Sequence, residues 1–549
     1  MIDEVQGKTP RLGDEPDLKY MLARDPGAHQ AFAFMSDKFI AAVVGPRQKV
    51  LAARRQLALA ELLTPGYAAL LHGWLFGAAP TSTDALVASG LLVADELKHR
   101  DGAAIAFTPG AAASSAWGRP AALTPLIDLP QVTQVSEAEK TAYENFISGY
   151  QQYWKQFIDP VAIRIDVEDV GATSIAQIDV RILPLISATD YSEIEAIVGG
   201  TRVQVSAIDR GLQGVWAVGK DARLRKDLDG VMRAATGQDN IGIGWLGDWV
   251  LLGIEDRAAL VELMTRFDYP VQLAPTTSDS DAFNDIEMWR LAGRFPLYAA
   301  AEVKNPAMLV ATLAAIKTML GGVAPGMVDW GETSKHRDLP IVRVGASKSA
   351  PLPNRDIADA VALYYVQTGE ALVLAIDIEV LKRAVDRVLD GKLPRSGTEG
   401  TSQFVVEAHS QAGAPLWTAL LWLIQGQANE AQLGARRSAE ILMRGEPGVQ
   451  GDPKALAQRG LDYLGFAPVT AQGDSAFTLA PEGAGDALLG TTIAPVFVPL
   501  PIAGSPVERL MQRLTGVRGE VSFDKEPDPA GPNARSLHTR FSLHLGAAP

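Results

Sequence analysis

Glu332 and His336 stand four residues apart in a polar stretch, a carboxylate and an imidazole that would serve as an acid–base pair if the backbone brings them together. The seven histidines, at positions 29, 72, 99, 336, 409, 538 and 544, include no pair at ligand spacing on a helix. His538 and His544 are even-spaced in the terminal alternating stretch RSLHTRFSLHL, so they share a strand face. They are expected there as two exposed-face histidines rather than half of a metal site. Asp279, Asp281, Asp285 and Glu287 gather in a polar loop. Oxygen-rich loops can hold calcium, but the EF-hand glycine and terminal-glutamate spacing are missing, and the reading is a solvated acidic loop. The string GIGWLG at 242–247 matches G-x-G-x-x-G. A dinucleotide fingerprint must open a helix, and here DWVLLGI follows, which reads as a strand; the glycines therefore mark a turn.

Other chemistry is missing as sequence. There is no P-loop, no G-x-S-x-G elbow and no H-E-x-x-H. With no cysteine, disulfides, thiolate zinc sites, iron–sulfur clusters and cysteine nucleophiles are all removed. No catalytic, cofactor-binding or metal-ligating residue is assigned on these grounds and no cofactor is expected. Melts with and without a chelator are expected to coincide.

At 549 residues the chain is too long for one ordinary core, so two to four domains are expected. A hydrophobic content of 47% with 21% charged residues is that of a folded globular protein. The net charge of −14 argues against a general nucleic-acid binder, which needs a basic face, and against adsorption on anionic lipid. No uninterrupted apolar run reaches the ~18–20 residues of a membrane helix; Lys317 interrupts 307–320, and 414–424 is short. The first residues, MIDEVQGKTPRLGDEPDLKY, are polar and acidic, without an apolar signal core. They read as linker, which fits a cytoplasmic chain or one lacking a leader or a longer N-terminal part. Freedom from cysteine suits an oxidising envelope.

The elements that would position any site follow one grammar. In 371–389, ALVLAIDIEVLKRAVDRVL, an unbroken apolar strand suited to cover on both faces leads to Asp377, which can cap a helix. Leu381, Ala384, Val385 and Val388 then share one helical face. Four other stretches repeat strand, capping residue, helix: 31–34 before KFIAAVV, 215–218, 249–254, and 297–303 before Asn305 and Pro306. Their irregular intervals exclude a solenoid and fit a duplicated module. The stretches 297–320 and 371–389 are expected in one sheet with both helices on the same face. Between 47 and 76 the pattern is helical, broken into two by Thr64-Pro65 and Gly66, with Arg54 and Arg55 on a solvated or carboxylate-paired edge. The segment 137–156 is a helix opened by a Ser136/Glu139 capping box. Its stripe of Tyr143, Phe146, Tyr150, Tyr153, Trp154 and Phe157 is expected as core docked on a sheet, against an alternative aromatic platform for glycan or peptide. Strands 162–167 and 175–183 pair across Gly171, GKLPRSGTEG at 391–400 is a connector, and 414–424 and 430–444 are separate helices.

Four stretches, DKFIAAVVGPRQKVLAARRQLALAEL, SEAEKTAYENFISGYQQYWKQFIDPVAIRI, YLGFAPVTAQGDSAFTL and RSLHTRFSLHL, resemble those of large, uncharacterised bacterial proteins often predicted to be exported. The strand–helix units around Leu297 and Ala371 are similar to a widespread bacterial domain of unknown function. The resemblance covers most of the chain and implies no catalytic residue.

The expected fold class is therefore α+β and multidomain, mainly antiparallel sheets with helices packed on one face and duplicated strand–Asp/Asn–helix units. The expected segments are 1–130, a strand plus a helical region; 131–270, the aromatic helix and a first module; 271–395, a second module; and 396–549, a helical segment with closing strands. The expected function is a non-enzymatic binding or scaffold protein of the bacterial cell envelope or exterior, with a protein or glycan partner, no nucleic acid and no membrane-spanning segment. The alternative is a hydrolase acting on glycan or peptide through carboxylates that sequence does not pair.

Overall fold

The computed structural model describes residues 14–24, 29–97, 99–108, 111–129, 131–150, 161–170, 173–182, 195–236, 242–262, 293–350, 362–397, 400–411, 413–491, 493, 505–524 and 536–547. The fold is α+β, with one large antiparallel sheet and several small ones. By packing, the chain divides into two compact units, each assembled from separated stretches: 1–37, 153–420 and 512–549 in the first, 38–152 and 421–511 in the second. The connector at 391–400 lies inside the first unit, and the chain passes to the second within a single helix, Pro415–Gly445. That helix replaces the two expected, because nothing stronger than Gly426 and Gly434 interrupts it, and glycine costs a helix only about 1 kcal/mol each.

The first unit is built on a 13-stranded sheet. Its strands in chain order are Ala31–Met35 (β1), Val161–Val170 (β2), Thr173–Ile182 (β3), Gly211–Ala217 (β4), Leu246–Ile254 (β5), Leu297–Val303 (β6), Val328–His336 (β7), Leu339–Ala346 (β8), Ala362–Gln367 (β9), Ala371–Ala375 (β10), Phe404–His409 (β11), Leu514–Phe523 (β12) and Leu537–Leu545 (β13). Across the sheet they run β1-β2-β3-β13-β12-β11-β4-β5-β6-β10-β9-β8-β7, all antiparallel. The strands of all five strand–cap–helix stretches lie in it. The pairing of 162–167 with 175–183 is the β2–β3 hairpin. Gly242 and Gly244 lie in the turn into β5 and Gly247 in the strand itself, so the string is not a phosphate loop.

The helices Pro306–Val323 (α1) and Ile378–Leu389 (α2) follow β6 and β10, which pair directly. Asn305 Oδ1 accepts from Met308 N at 3.1 Å, and Asp377 Oδ1 accepts from Glu379 N and Val380 N at 2.7 and 3.0 Å. The helices sit on opposite faces, not on one. Ala371, Val373 and Ala375 pack with Val380, Leu381, Ala384 and Val385 of α2; Leu372 and Leu374, pointing the other way, pack with Leu309 and Leu313 of α1. An unbroken apolar strand must be covered twice, and two helices on one face would have left Leu372 and Leu374 in water. Among the described residues α1 is the one helix long and apolar enough by length and composition to cross a membrane, Lys317 notwithstanding. Here it lies against the sheet through Leu309 and Thr312, its other positions half-buried or exposed.

The second unit is organised on Pro46–Phe76 (α3), one continuous helix of 31 residues with Pro65 inside it. Proline removes a helix hydrogen bond and was expected to break it. Packing overrides that cost: Leu62, Pro65, Gly66, Ala68, Ala69 and Leu70 are all buried. Tyr463 of the helix Pro453–Leu464 donates its hydroxyl to Leu63 O at 2.7 Å. Its ring crosses so close to Gly66 that a Cβ there would stand 2.8 Å from Tyr463 Cε2.

The helix Glu137–Gly149 (α4) opens with the expected capping box, Glu139 N donating to Ser136 Oγ at 3.2 Å and Ser136 N to Glu139 Oε2 at 2.8 Å. The described aromatics of its stripe, Tyr143, Phe146 and Tyr150, are not sheet-docked core. Phe146 is 37% exposed, with the Lys49 ammonium 4.3 Å from its ring centre, and Tyr143 donates to Val44 O at 3.4 Å. This part of the stripe keeps a wet side. Tyr153, Trp154 and Phe157 lie outside the described residues. Arg54 is carboxylate-paired as expected, donating to Glu139 Oε1 at 2.6 Å and Oε2 at 3.0 Å. That hydrogen bond, with the Ser136 amide helping against burial, pulls the Glu139 carboxyl from 4.5 to about 2. A depressed carboxyl contributes stability above its unfolded value, lost as pH falls through its folded value. Unfolding followed from pH 5 down to 2 should show the second unit weakening across this window, and Glu139→Gln should flatten that slope.

Candidate functional site

Alternation along β3, β13, β12, β11 and β4 gathers the charged side chains on one face of the sheet, where Val405 and Val215 join them toward β4. The polar face forms rows fixed by register. One row runs Gln177, Ser542, Arg518, Glu407, Gln213, and the next Asp179, Arg540, Glu520, Val405, Val215. This charged face is the covered one. Arg164, Asp179, Arg181, Gln213, Glu407 and Ser542 are all buried. The segment 203–208 crosses over it, Ile208 N donating to Glu407 Oε1 at 2.8 Å and Arg518 Nη2 to Val205 O at 3.2 Å. The N-terminal helix Pro16–Arg24 covers β2, where Arg164 donates to Met21 O at 3.2 Å.

Inside this layer the charges close on one another. Glu407, 1% exposed, also takes Arg518 Nη1 and Gln213 Nε2 at 2.7 Å each. Burial pushes its carboxyl up against the pull of Arg518 and these hydrogen bonds. Arg518 donates as well to Glu520 at 2.8 Å. Asp179 accepts from Gln177 at 2.7 Å and Arg540 at 2.8 Å and lies 3.2 Å from His538 Nε2. Burial works against its charge, but these partners hold the carboxyl well below the ordinary range. Further along, Asp256 accepts from Arg210 at 2.9 Å, from Leu416 N at 2.8 Å and from Ser410 Oγ.

His538 and His544 do share a face, but it is this covered one. His544 meets His409 of β11 edge-on, ring centres 5.2 Å apart, across Gly516 of β12. A Cβ at Gly516 would stand 2.5 Å from His409 Cε1, so the glycine makes room for the pair. Burial pushes both imidazoles down, helped by Arg518 at His409 and by His409 and then Arg518 at His544. No group of histidines and carboxylates placed to hold a metal occurs among the described residues.

Glu332 and His336 are not brought together. A register irregularity between Glu332 and Ser334 re-aims β7. His336 Nε2 then lies 2.8 Å from Asp386 of α2, while Glu332 lines a groove beside α1. The acidic loop of Asp279, Asp281, Asp285 and Glu287 lies outside the described residues.

Two concave places among the described residues of this unit bear on the site. A cavity under α2, lined by Gln213, Tyr298, Arg387 and Lys392 among others, has about 30 Å³, room for a water-sized group. Arg387 lies over the buried Tyr298 ring, 4.4 Å from its centre. The groove between α1 and β7–β9 is larger, about 360 Å³ and open to solvent. Its floor is Trp330, Val342 and Tyr365, its wall Val310, Leu313, Ala314 and Lys317, its rim Glu332, Pro340 and Gln367. Trp330 Nε1 donates to Tyr365 Oη at 3.0 Å with the rings edge-on, which locks both. Lys317 Nζ donates to Trp330 O at 2.9 Å. Sequence reasoning missed this groove because its members come from a helix and three strands. Nor did it find Glu407, Arg518 or His409, whose only signal is a charged residue at every second position of an apolar strand. No family model, no curated protein and no solved structure matches the chain.

Proposed function

We propose that this chain is a non-enzymatic binding or scaffold protein of the bacterial cell envelope or exterior, and that its groove beside α1 takes an extended segment of a partner protein. The observation that carries the reading is the groove's chemistry. It is open, apolar on floor and wall, and has a few polar groups at its rim around a locked Trp330–Tyr365 pair, the composition by which peptide segments are held. Chemistry that cleaves would need more. Glycoside hydrolysis uses two carboxyls facing each other about 5–10 Å apart, and Glu332 is the one carboxylate among the lining residues. Glu407, Asp179 and Asp256, beneath the covered face, are closed on arginine, histidine and amide partners. Lack of cysteine suits the envelope.

The test is a displayed peptide library panned on the folded protein, with glycan and ester substrates screened beside it. Selected peptides should bind at least ~10-fold more weakly to Trp330→Ala, as loss of an aromatic anchor implies, while thermal stability changes little. Turnover of any substrate, abolished by Glu332→Gln, would replace the binding reading with the hydrolase. Selection of glycans in place of peptides, still lost with Trp330→Ala, would reassign the partner.

A further inference from the structure

The half of the sheet that buries its charges exposes its apolar side chains. On the face opposite Glu407 and Arg518, Ile165 is 40% exposed, Val167 45%, Phe541 37%, Val406 37% and Leu252 44%, with Ile178 half-buried between them. These residues lie on β2, β3, β13, β11 and β5; on the same face α1 packs over β10 and the helix Arg223–Thr236 packs, through Leu224 and Met232, on Trp216 and Val250, which leaves these as the exposed remainder. These six leave on the order of 50 Å² each, about 300 Å² together, and half-buried positions in the same rows, among them Ile163, Val180, Leu543 and Val517, extend the patch toward the ~800 Å² that one partner contributes to a standard interface. Soluble monomers rarely leave so large a continuous apolar patch in water.

We propose that this face is where a second copy of the chain packs, sheet against sheet. The backbone groups of these strands are already paired to neighbours on both sides, so an occupant cannot add as a strand and must lie flat on the side chains. A flat apolar face without charge meets its own image at no electrostatic cost, the self-complementary condition of a two-fold dimer. A lipid surface is disfavoured by the charge of −14, which anionic headgroups repel. The same charge makes two copies repel at long range, so salt should strengthen the association by screening. The inference does not use the groove beside α1, and either can fail alone.

The experiment is sedimentation equilibrium of the full chain at micromolar concentration in low and high salt. A mass of twice the chain is expected, with tighter association at high salt. Val406→Glu and Phe541→Glu should each raise the dissociation constant at least ~10-fold, since each buries unpaired charge at the interface. Ile165→Glu, nearer the edge of the sheet, repeats the test if the central variants unfold, and Leu461→Glu on the second unit should leave the dimer intact. A wild-type monomer at tens of micromolar would overturn the proposal, whether or not it binds neutral vesicles. So would a dimer that survives all three face variants.

Discussion

Replacing Glu407 with alanine should destabilise the first unit by about 3–5 kcal/mol, the cost of removing one partner from a buried ion pair. The carboxylate is 1% exposed and accepts from Arg518, Gln213 and the Ile208 amide. Its loss leaves an amide N–H and a carboxamide without acceptors under cover, and Arg518 with Glu520 and the Val205 carbonyl as its remaining contacts. Glu407→Gln should be milder, about 1.5–3 kcal/mol, because one side-chain oxygen still serves Ile208 and Gln213 while the amide nitrogen replaces the oxygen that accepts from Arg518. The direction of the carboxyl's titration argues the same way. Burial raises it, so the folded state holds a proton more readily than the unfolded chain, and Glu407 favours folding below the ordinary carboxyl range and progressively less as pH rises through its folded value. Denaturant unfolding of the two variants at neutral pH checks the difference. Equal losses would mean that charge, not hydrogen bonding, holds the segment 203–208 over the sheet.

Local grammar was legible wherever one residue decides it. The capping box at Ser136, the caps at Asn305 and Asp377, and the hairpin across Gly171 each depend on side chains within a few residues of the backbone they satisfy. What was not legible depends on partners far along the chain. Pro65 reads as a break because its penalty is local, while the compensation comes from Tyr463, about four hundred residues later. Units built from interleaved stretches likewise leave no compositional seam, since one helix, Pro415–Gly445, carries the chain across.

The site was less legible than the fold. Alternation in RSLHTRFSLHL shows that His538 and His544 share a face, but whether that face is wet depends on the segment 203–208 and on the helix Pro16–Arg24. The ordinary inference, polar side outward, was the wrong way round in this half of the sheet. The aromatic stripe failed similarly: spacing put Tyr143 and Phe146 on one side of a helix, and only packing leaves that side half wet. Glu332 and His336 were separated by an irregularity in one strand, which no spacing rule foresees.

Trp249→Ala should cost about 3–5 kcal/mol, as full truncation of a buried indole does. Trp249 is 1% exposed on β5, opposite Ala217 of β4, in the cluster that includes Val215, Leu251, Val373 and Leu381. Ala217 opposite it and the cluster's other alanines, Ala300, Ala371 and Ala375, are small, so they cannot reach into the space an indole leaves. The cavity term should then be close to its maximum, because it grows with the volume that fails to collapse. Trp74, on α3 in the second unit, is 55% exposed and supplies the contrast; Trp74→Ala should stay within about 0.5 kcal/mol. Hydrogen exchange reads the outcome strand by strand. Amides of β4, β5, β6 and β10 should lose protection in Trp249→Ala while those of α3 keep theirs, since stability is lost where the packing was. Protection lost equally on α3 would show that the two units unfold as one, and unchanged protection in the sheet would mean that the sheet does not rest on this core.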